Sequence, residues 1–121
     1  MKLNIIYYIT IIMESNYVSW KNNSDIIYLT FNEDASVIAC GTENGFILFK
    51  SNIRVFSKDL KGGIGIIQML EKTNIVALVG GGNRPAFDLN KVVLWDIEKD
   101  TPVAEYRFGT KVRNIKIKRD K

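Results

Sequence analysis

The sequence has no histidine and a single cysteine, Cys40, among its 121 residues. Without histidine, neither a catalytic triad nor a histidine general base can be built, and a zinc site of cysteine and histidine is excluded as well. One cysteine cannot form a disulfide within the chain, which favours a reducing compartment. Cys40 lies in the apolar run 37–40, where a small buried thiol fits without chemistry. We therefore expect no catalytic residues, no metal-binding residues and no cofactor.

The totals are those of a small globular domain. Hydrophobic residues make up 46% of the chain and charged residues 25%, which argues against disorder. The net charge of +4 favours anionic surfaces on lipid or nucleic acid, although a solvated basic face explains it equally simply. The basic residues of the last segment, 111–121, alternate with apolar ones and lack stacking aromatics, so we expect no nucleic-acid partner.

The first residues of the chain are apolar. The run 3–12 is too short to span a bilayer, and no small-residue cleavage site follows it. We interpret it as an extension ahead of a start at Met13 that packs into no blade, with a membrane-associating or targeting segment as the alternative. Residues 17–20 remain candidates for an edge strand.

Short apolar runs separated by turn residues indicate strands. The first unit contains four such runs, at 26–31, 37–40, 46–49 and 53–56. The second and third are joined by a loop over 41–45, which ends in Asn-Gly, a strong hairpin signal. Four antiparallel strands in about 35 residues form one blade of a β-propeller.

An apolar pattern then recurs in register. It is found at Ile26-x-x-Leu29-x-Phe31, at Ile64-x-x-Ile67-x-Met69 and at Val112-x-x-Ile115-x-Ile117, with offsets of 38 and then 48 residues. The second step is longer because the loop 80–90 replaces the short loop of the first unit. No stretch has the length and period of a helix. The sequence therefore predicts an all-β fold, a partial WD-type β-propeller of two four-stranded antiparallel blades and the first strand of a third.

The repeat also sets boundaries and a core. We expect an N-terminal extension over 1–23, blade one over about 24–60, blade two over about 61–109, and the start of blade three over 110–121. The register predicts a core between the two blades made of these residues: Leu29, Phe31, Ala39, Phe49, Ile67, Met69, Ala77 and Trp95.

Several motifs in this order resemble the opening blades of the PROPPIN family, the phosphoinositide-binding WD-repeat propellers of autophagy. They are Phe31-Asn32-x-Asp34, Cys40-Gly41-Thr42-x-x-Gly45-Phe46, Gly62-Gly63-x-Gly65-Ile66, Met69-Leu70, Ala77-Leu78-Val79-Gly80-Gly81-Gly82 and Lys91-Val92-x-Leu94-Trp95-Asp96. The resemblance covers roughly residues 24–121.

The resemblance implies a seven-bladed scaffold that recognises phosphatidylinositol 3-phosphate. Such a protein would be cytoplasmic, peripheral on autophagic or endosomal membranes, and would recruit a lipid-transfer protein through its early blades. The lipid-binding signature of the family, Phe/Leu-Arg-Arg-Gly, does not occur here, because no two arginines are adjacent. Arg119 follows Lys118 but precedes Asp120, so it cannot substitute. We therefore expect no lipid-binding residues in this chain. A generic WD-repeat interaction module without a lipid role is the alternative. An enzyme is disfavoured, because the sequence offers no set of residues that could form an active site.

Two groups of residues are candidates for partner binding. The first is Asn32 and Asp34, which match the family pattern but also suit ordinary turn chemistry. The second lies in the long loop, where charged and apolar residues mix around Phe87 as they do in protein-contact loops. Its members are Arg84, Asp88, Leu89, Asn90 and Lys91. The triple glycine at 80–82 is followed by Pro85 and a strand, so we interpret it as loop chemistry and not as a phosphate-binding loop.

Overall fold

The computed structural model describes residues 26–50, 53–70 and 73–116. The expectations for residues 1–12 and 17–20 lie outside this set. Within it the chain forms two four-stranded antiparallel sheets and no helix. In each sheet the strands are paired in the order in which they follow one another along the chain. This is the up-and-down topology of a propeller blade, which confirms the predicted fold class.

The first sheet, blade one, and the second sheet, blade two, have strands of similar length. Blade one contains β1 (Ile26–Phe31), β2 (Val37–Thr42), β3 (Gly45–Lys50) and β4 (Ile53–Asp59). Blade two contains β5 (Ile64–Met69), β6 (Ile75–Gly80), β7 (Lys91–Asp96) and β8 (Thr101–Arg107). Apolar and β-branched residues dominate the central strands β2, β3 and β6, where both faces of a sheet must be covered.

The hairpin between β2 and β3 is tighter than the sequence suggested. Gly41 and Thr42 continue β2, so the turn contains only Glu43 and Asn44, and Thr42 pairs directly with Gly45. The hydroxyl of Thr42 accepts hydrogen bonds from the backbone N–H groups of Asn44 and Gly45, at 3.2 Å each. Gly45 has a φ of 153°, and a Cβ there would collide with the backbone of Lys58. The turn therefore depends on both a buried threonine and a glycine.

The two blades pack face to face through one apolar cluster. Blade one contributes Ala39, Phe46 and Leu48, and the remaining members come from blade two: Ile64, Ile67, Val76, Leu78, Val93 and Trp95. Met69 is half-buried against this cluster. Since each of the nine core members is at most 7% exposed, hydrophobic burial holds the blades together.

Part of the predicted inter-blade core lies elsewhere. Leu29, Phe31 and Phe49 belong to a second cluster, with Ile38, Cys40 and Ile47, on the other face of blade one. Ala77 is buried but is not a member of the inter-blade cluster. The prediction was wrong because equivalent positions of a repeat face in the same direction around a propeller. Leu29 and Ile67 therefore both face toward the preceding side, and only Ile67 meets the neighbouring blade.

The segment expected to open a third blade forms no strand through residue 116, and its last residues, 117–121, lie outside the described set. Val112 and Ile115 of this segment are half-buried, and the backbone N–H of Val112 donates to the carbonyl of Leu89 at 2.8 Å. A first strand becomes a strand only by pairing with its neighbour. No such neighbour for it is present among the described residues.

Candidate partner-binding site

The candidate residues divide between opposite ends of the sheets. We define the turn rim as residues 32–36, 73–74 and 97–100, which follow β1, β5 and β7, and the loop rim as 43–44, 60–63 and 81–90. Asn32 and Asp34 lie on the turn rim. Arg84 and the other loop candidates lie on the loop rim. A strand of six residues separates the two rims, which is about 20 Å.

On the turn rim, Asn32 is occupied within its own turn. Its side-chain oxygen accepts from the N–H of Val37 at 2.9 Å, and its side-chain nitrogen donates to the hydroxyl of Ser36 at 3.0 Å. Asp34 caps the same turn by accepting from the N–H of Ser36 at 3.0 Å. Hydrogen bonds from the Ser36 side chain and backbone lower the pKa of Asp34 below its ordinary value of 3.8. Asp34 is therefore an exposed carboxylate that stays charged at neutral pH.

A cleft opens between the blades next to this turn. Its volume is about 210 Å³, and its apolar walls come from both blades. Polar groups of Asn32, Thr73 and Asn74 surround the opening, and Val55 of the outer strand β4, which is 53% exposed, lies at its edge. The other apolar lining residues are Val37, Leu48, Met69, Leu70, Ile75, Val76 and Ile97. No sequence pattern indicates this cleft, because its walls are brought together only by the packing of one blade on the other.

On the loop rim, the loop 81–90 folds back onto the connection between the blades. Gly63 donates its N–H to the carbonyl of Arg84 at 2.8 Å, and its own carbonyl accepts from Gly81 and Ala86 at 3.1 and 2.9 Å. A Cβ at Gly63 would collide with the backbone of Gly81, so the close approach requires glycine. These bonds fix the loop backbone and leave Arg84 and Pro85 exposed at its tip.

The second half of the loop is tied to the end of β8. The guanidinium of Arg107 donates to the Asp88 carboxylate at 2.9 Å and to the side-chain oxygen of Asn90 at 3.1 Å. The side chain of Asn90 donates to the carbonyl of Phe108 at 3.0 Å. Asp88 and Asn90 therefore hold the loop in place, and Arg107, which the sequence analysis did not single out, is their common partner.

The remaining two loop candidates are also engaged. Lys91 lies 3.5 Å from the Glu105 carboxylate, and its Nζ is 5.7 Å from the centroid of the Phe87 ring. Leu89 is half-buried. Of the four polar or charged loop candidates, Arg84 alone has no hydrogen bond or ion pair from its side chain to another described residue. The structure thus separates one presented cation from four residues that shape the loop.

The described part of the chain lacks two features that would indicate other functions. No group of three or more cysteine, aspartate or glutamate side chains comes together there as a metal site would require. Nor does that part contain a helix long and apolar enough to cross a membrane.

Comparison with known proteins gives a consistent result. The chain is 39% identical over 94 residues to SVP1-like protein 2 of Neurospora crassa, which covers 76% of this chain and 22% of that protein. It is 34% identical over 97 residues to autophagy-related protein 18 of Candida glabrata, covering 79% of this chain and 19% of that one. This chain thus spans about a fifth of the length of these curated relatives. No family model matches it.

Among solved structures, the crystal structure of Kluyvelomyces marxianus Hsv2 matches with a TM-score of 0.62. The match covers 76% of this chain and 29% of Hsv2, at 23% sequence identity. At this identity the match supports the fold and nothing further.

Proposed function

Because the chain belongs to the PROPPIN family of autophagy-related WD-repeat propellers, we propose that it is part of a membrane-recruited scaffold that binds a protein partner and catalyses no reaction. The partner is of the autophagy lipid-transfer type. In the complete propeller the scaffold would be cytoplasmic and peripheral on autophagic or endosomal membranes. The phosphoinositide-binding residues would lie outside this chain.

The observation that carries the proposal is the cleft on the turn rim. Its walls are mostly apolar, and one of its lining residues, Asn32, belongs to the same turn as the exposed carboxylate of Asp34. A cavity of about 210 Å³ is large enough for one or two apolar side chains of a partner. A basic residue next to them in the partner would face Asp34, because complementary charge at the edge of an apolar pocket gives orientation and specificity.

The loop rim provides a second contact in this proposal. Arg84 is presented at the tip of a loop whose backbone is fixed by hydrogen bonds, which reduces the entropy lost on binding. Asp88, Leu89, Asn90 and Lys91 contribute by keeping that loop in shape. Since the two rims are about 20 Å apart, a partner that touches both must extend along the outer edge of the blades.

The test is a binding measurement between the complete protein and the autophagy lipid-transfer protein of the same organism. Val55→Lys places a cation at the cleft edge and should weaken binding at least tenfold by blocking the cleft and repelling a basic partner residue. Val103→Lys is the matched control, because Val103 is 50% exposed on β8, away from the cleft. Equal affinity of the two variants for the partner would refute the role of the cleft.

A further inference from the structure

A side chain of blade one holds the long loop of blade two. Glu43 lies in the two-residue turn between β2 and β3, and its Oε1 accepts a hydrogen bond from the backbone N–H of Asn83 at 2.9 Å. We infer that Glu43 is the positioning residue of the loop 81–90, so that Arg84 is presented correctly only when the two blades are packed together. As far as partner binding is concerned, this inference rests on the proposed function.

Hydrogen bonds from three places hold different parts of the loop 81–90. Its second half is tied to blade two itself, through Arg107 and Phe108, and its middle is tied to Gly63 between the blades. Among the described residues, Glu43 provides the one side-chain hydrogen bond from blade one to this loop. Because Glu43 and Asn83 are 40 residues apart, the bond forms only after both blades have folded and docked.

The backbone next to this bond is shaped to fit the carboxylate. Gly82 has a φ of 80°, a left-handed conformation that glycine adopts without cost. A Cβ on Gly82 would collide with the Glu43 carboxylate and with Ile27 of β1. The loop therefore enters so close to blade one that a side chain at position 82 would require the ends of the Glu43 and Ile27 side chains to move. This close fit agrees with the hydrogen bond, because it brings the backbone of Gly82 against the same Glu43 carboxylate that accepts from Asn83.

The chemistry of the bond provides its own control. A carboxylate accepts a charge-assisted hydrogen bond from an amide, which is stronger than a bond between neutral groups. Glu43→Gln keeps an oxygen of the same reach but loses the charge, so it should hold the loop less firmly than Glu43 and more firmly than Glu43→Ala. Glu43→Ala removes the acceptor altogether. The pair of variants separates the loss of this hydrogen bond from a general effect of changing the turn.

We would measure amide hydrogen exchange in the complete protein for Asn83 and Ala86 of the loop and for Leu78 of the buried strand β6. Glu43→Ala should raise exchange at the two loop amides by about tenfold, the effect of losing one hydrogen bond to a charged group. Exchange at Leu78 should stay unchanged. Glu98→Ala, on the exposed turn of blade two at the opposite rim, is the matched control and should change none of the three.

Two results would overturn the inference. One is unchanged exchange of the loop amides in Glu43→Ala. The other is an equal rise at Leu78, which would mean that the whole structure had been destabilised. Gly82→Ala provides a second perturbation from the other side of the contact and should open the loop in the same way.

A binding assay distinguishes the role of Glu43 in positioning the loop from the role of the loop in partner binding. In the assay with the lipid-transfer protein, Arg84→Ala should lose affinity while its loop amides remain protected. Glu43→Ala should lose both affinity and protection, and Glu43→Gln should recover a part of both. If Arg84→Ala binds normally, the role of the loop in the proposed function fails, whereas the exchange data still decide whether Glu43 positions the loop.

Discussion

Phe46 of blade one meets Trp95 of blade two edge-on, with ring centroids 6.3 Å apart and the ring planes at 76°. This is the favourable geometry for an aromatic pair, because the positive ring edge approaches the negative ring face. Phe46 is 1% exposed and Trp95 is 6% exposed, so the pair lies inside the interface between the blades. The indole N–H of Trp95 donates to the Asp100 carboxylate at 3.3 Å, which satisfies its single donor.

Removal of one ring of this pair should destabilise the packing between the two blades. We expect Trp95→Ala to lower the free energy of unfolding by about 3–5 kcal/mol, the range for removing a large buried aromatic side chain. Urea unfolding followed by circular dichroism measures it. Phe108→Ala is the control, because Phe108 is 50% exposed, and it should cost less than about 1 kcal/mol. A loss of similar size in both variants would contradict the packing described here.

An ion pair next to Trp95 links the outer strand of blade one to the turn rim. Lys58 lies 3.1 Å from the Asp100 carboxylate, and its Nζ is 5.7 Å from the centroid of the Trp95 ring. Both charged side chains are partly exposed, at 32% and 46%, so solvent screens the pair. In a double-mutant cycle of Lys58→Met and Asp100→Asn we expect a coupling energy of about 0.3–1 kcal/mol. This coupling energy should become smaller in 1 M salt, because salt screens the two charges. Contributions of the two side chains to packing should stay roughly constant. A coupling that salt leaves unchanged would assign the contact to packing.

The thiol of Cys40 should be unreactive in the folded protein. Burial raises the pKa of Cys40 from 9.0 to about 12, because the thiolate is poorly solvated in the apolar cluster of blade one. A thiol reagent at pH 8 should label the chain only after denaturant is added. Because the unfolded thiol loses its proton first, this residue contributes stability that is full below pH 9 and is lost progressively between pH 9.0 and about 12. Cys40→Ala should remove that part of the pH dependence. Rapid labelling under native conditions would contradict the burial.

The turn at Asp34 should respond to acid. Its pKa is lowered in the folded state by the hydrogen bonds from Ser36, so the stabilisation is present above the ordinary value of 3.8 and is lost as the pH falls through the lowered folded value. The amide proton resonance of Ser36, followed by NMR, should titrate at that lowered pKa. Asp34→Asn should abolish this titration and leave other resonances unaffected. A Ser36 amide that titrates at an unshifted value would show that the cap is absent.

The chain by itself should not discriminate among anionic lipids. In liposome sedimentation at physiological salt, we expect equal binding to phosphatidylinositol 3-phosphate and to phosphatidylserine at matched charge density. The basic residues near the end of the chain give weak attraction, which salt screens. Headgroup recognition requires arginines that converge on a pocket and bind in a bidentate manner. A clear preference for the phosphoinositide would reveal a headgroup site in these two blades.

The sequence by itself determined the strands and the repeat. Apolar residues between turn signals located β1 and β5 at the observed bounds, because strand formation depends on local propensity and on a period of two. The offset of 38 residues correctly equated Leu29 with Ile67 and Phe31 with Met69, which hold equivalent positions in the first strands of the two blades. The family motifs led to the right family for the same reason, since they lie within single strands and turns.

The tertiary structure alone decided which of these residues meet. Equivalent positions face the same way around the propeller, so Phe49 lies on the far side of blade one while Trp95 faces Phe46 across the interface. The cleft on the turn rim and the bond from Glu43 to Asn83 join residues about 40 positions apart in sequence. No local pattern encodes such contacts, because they arise from the angle and distance at which two complete sheets pack. Local sequence thus determined the strands of each blade. The packing of one blade on the other determined the cleft and the position of the long loop.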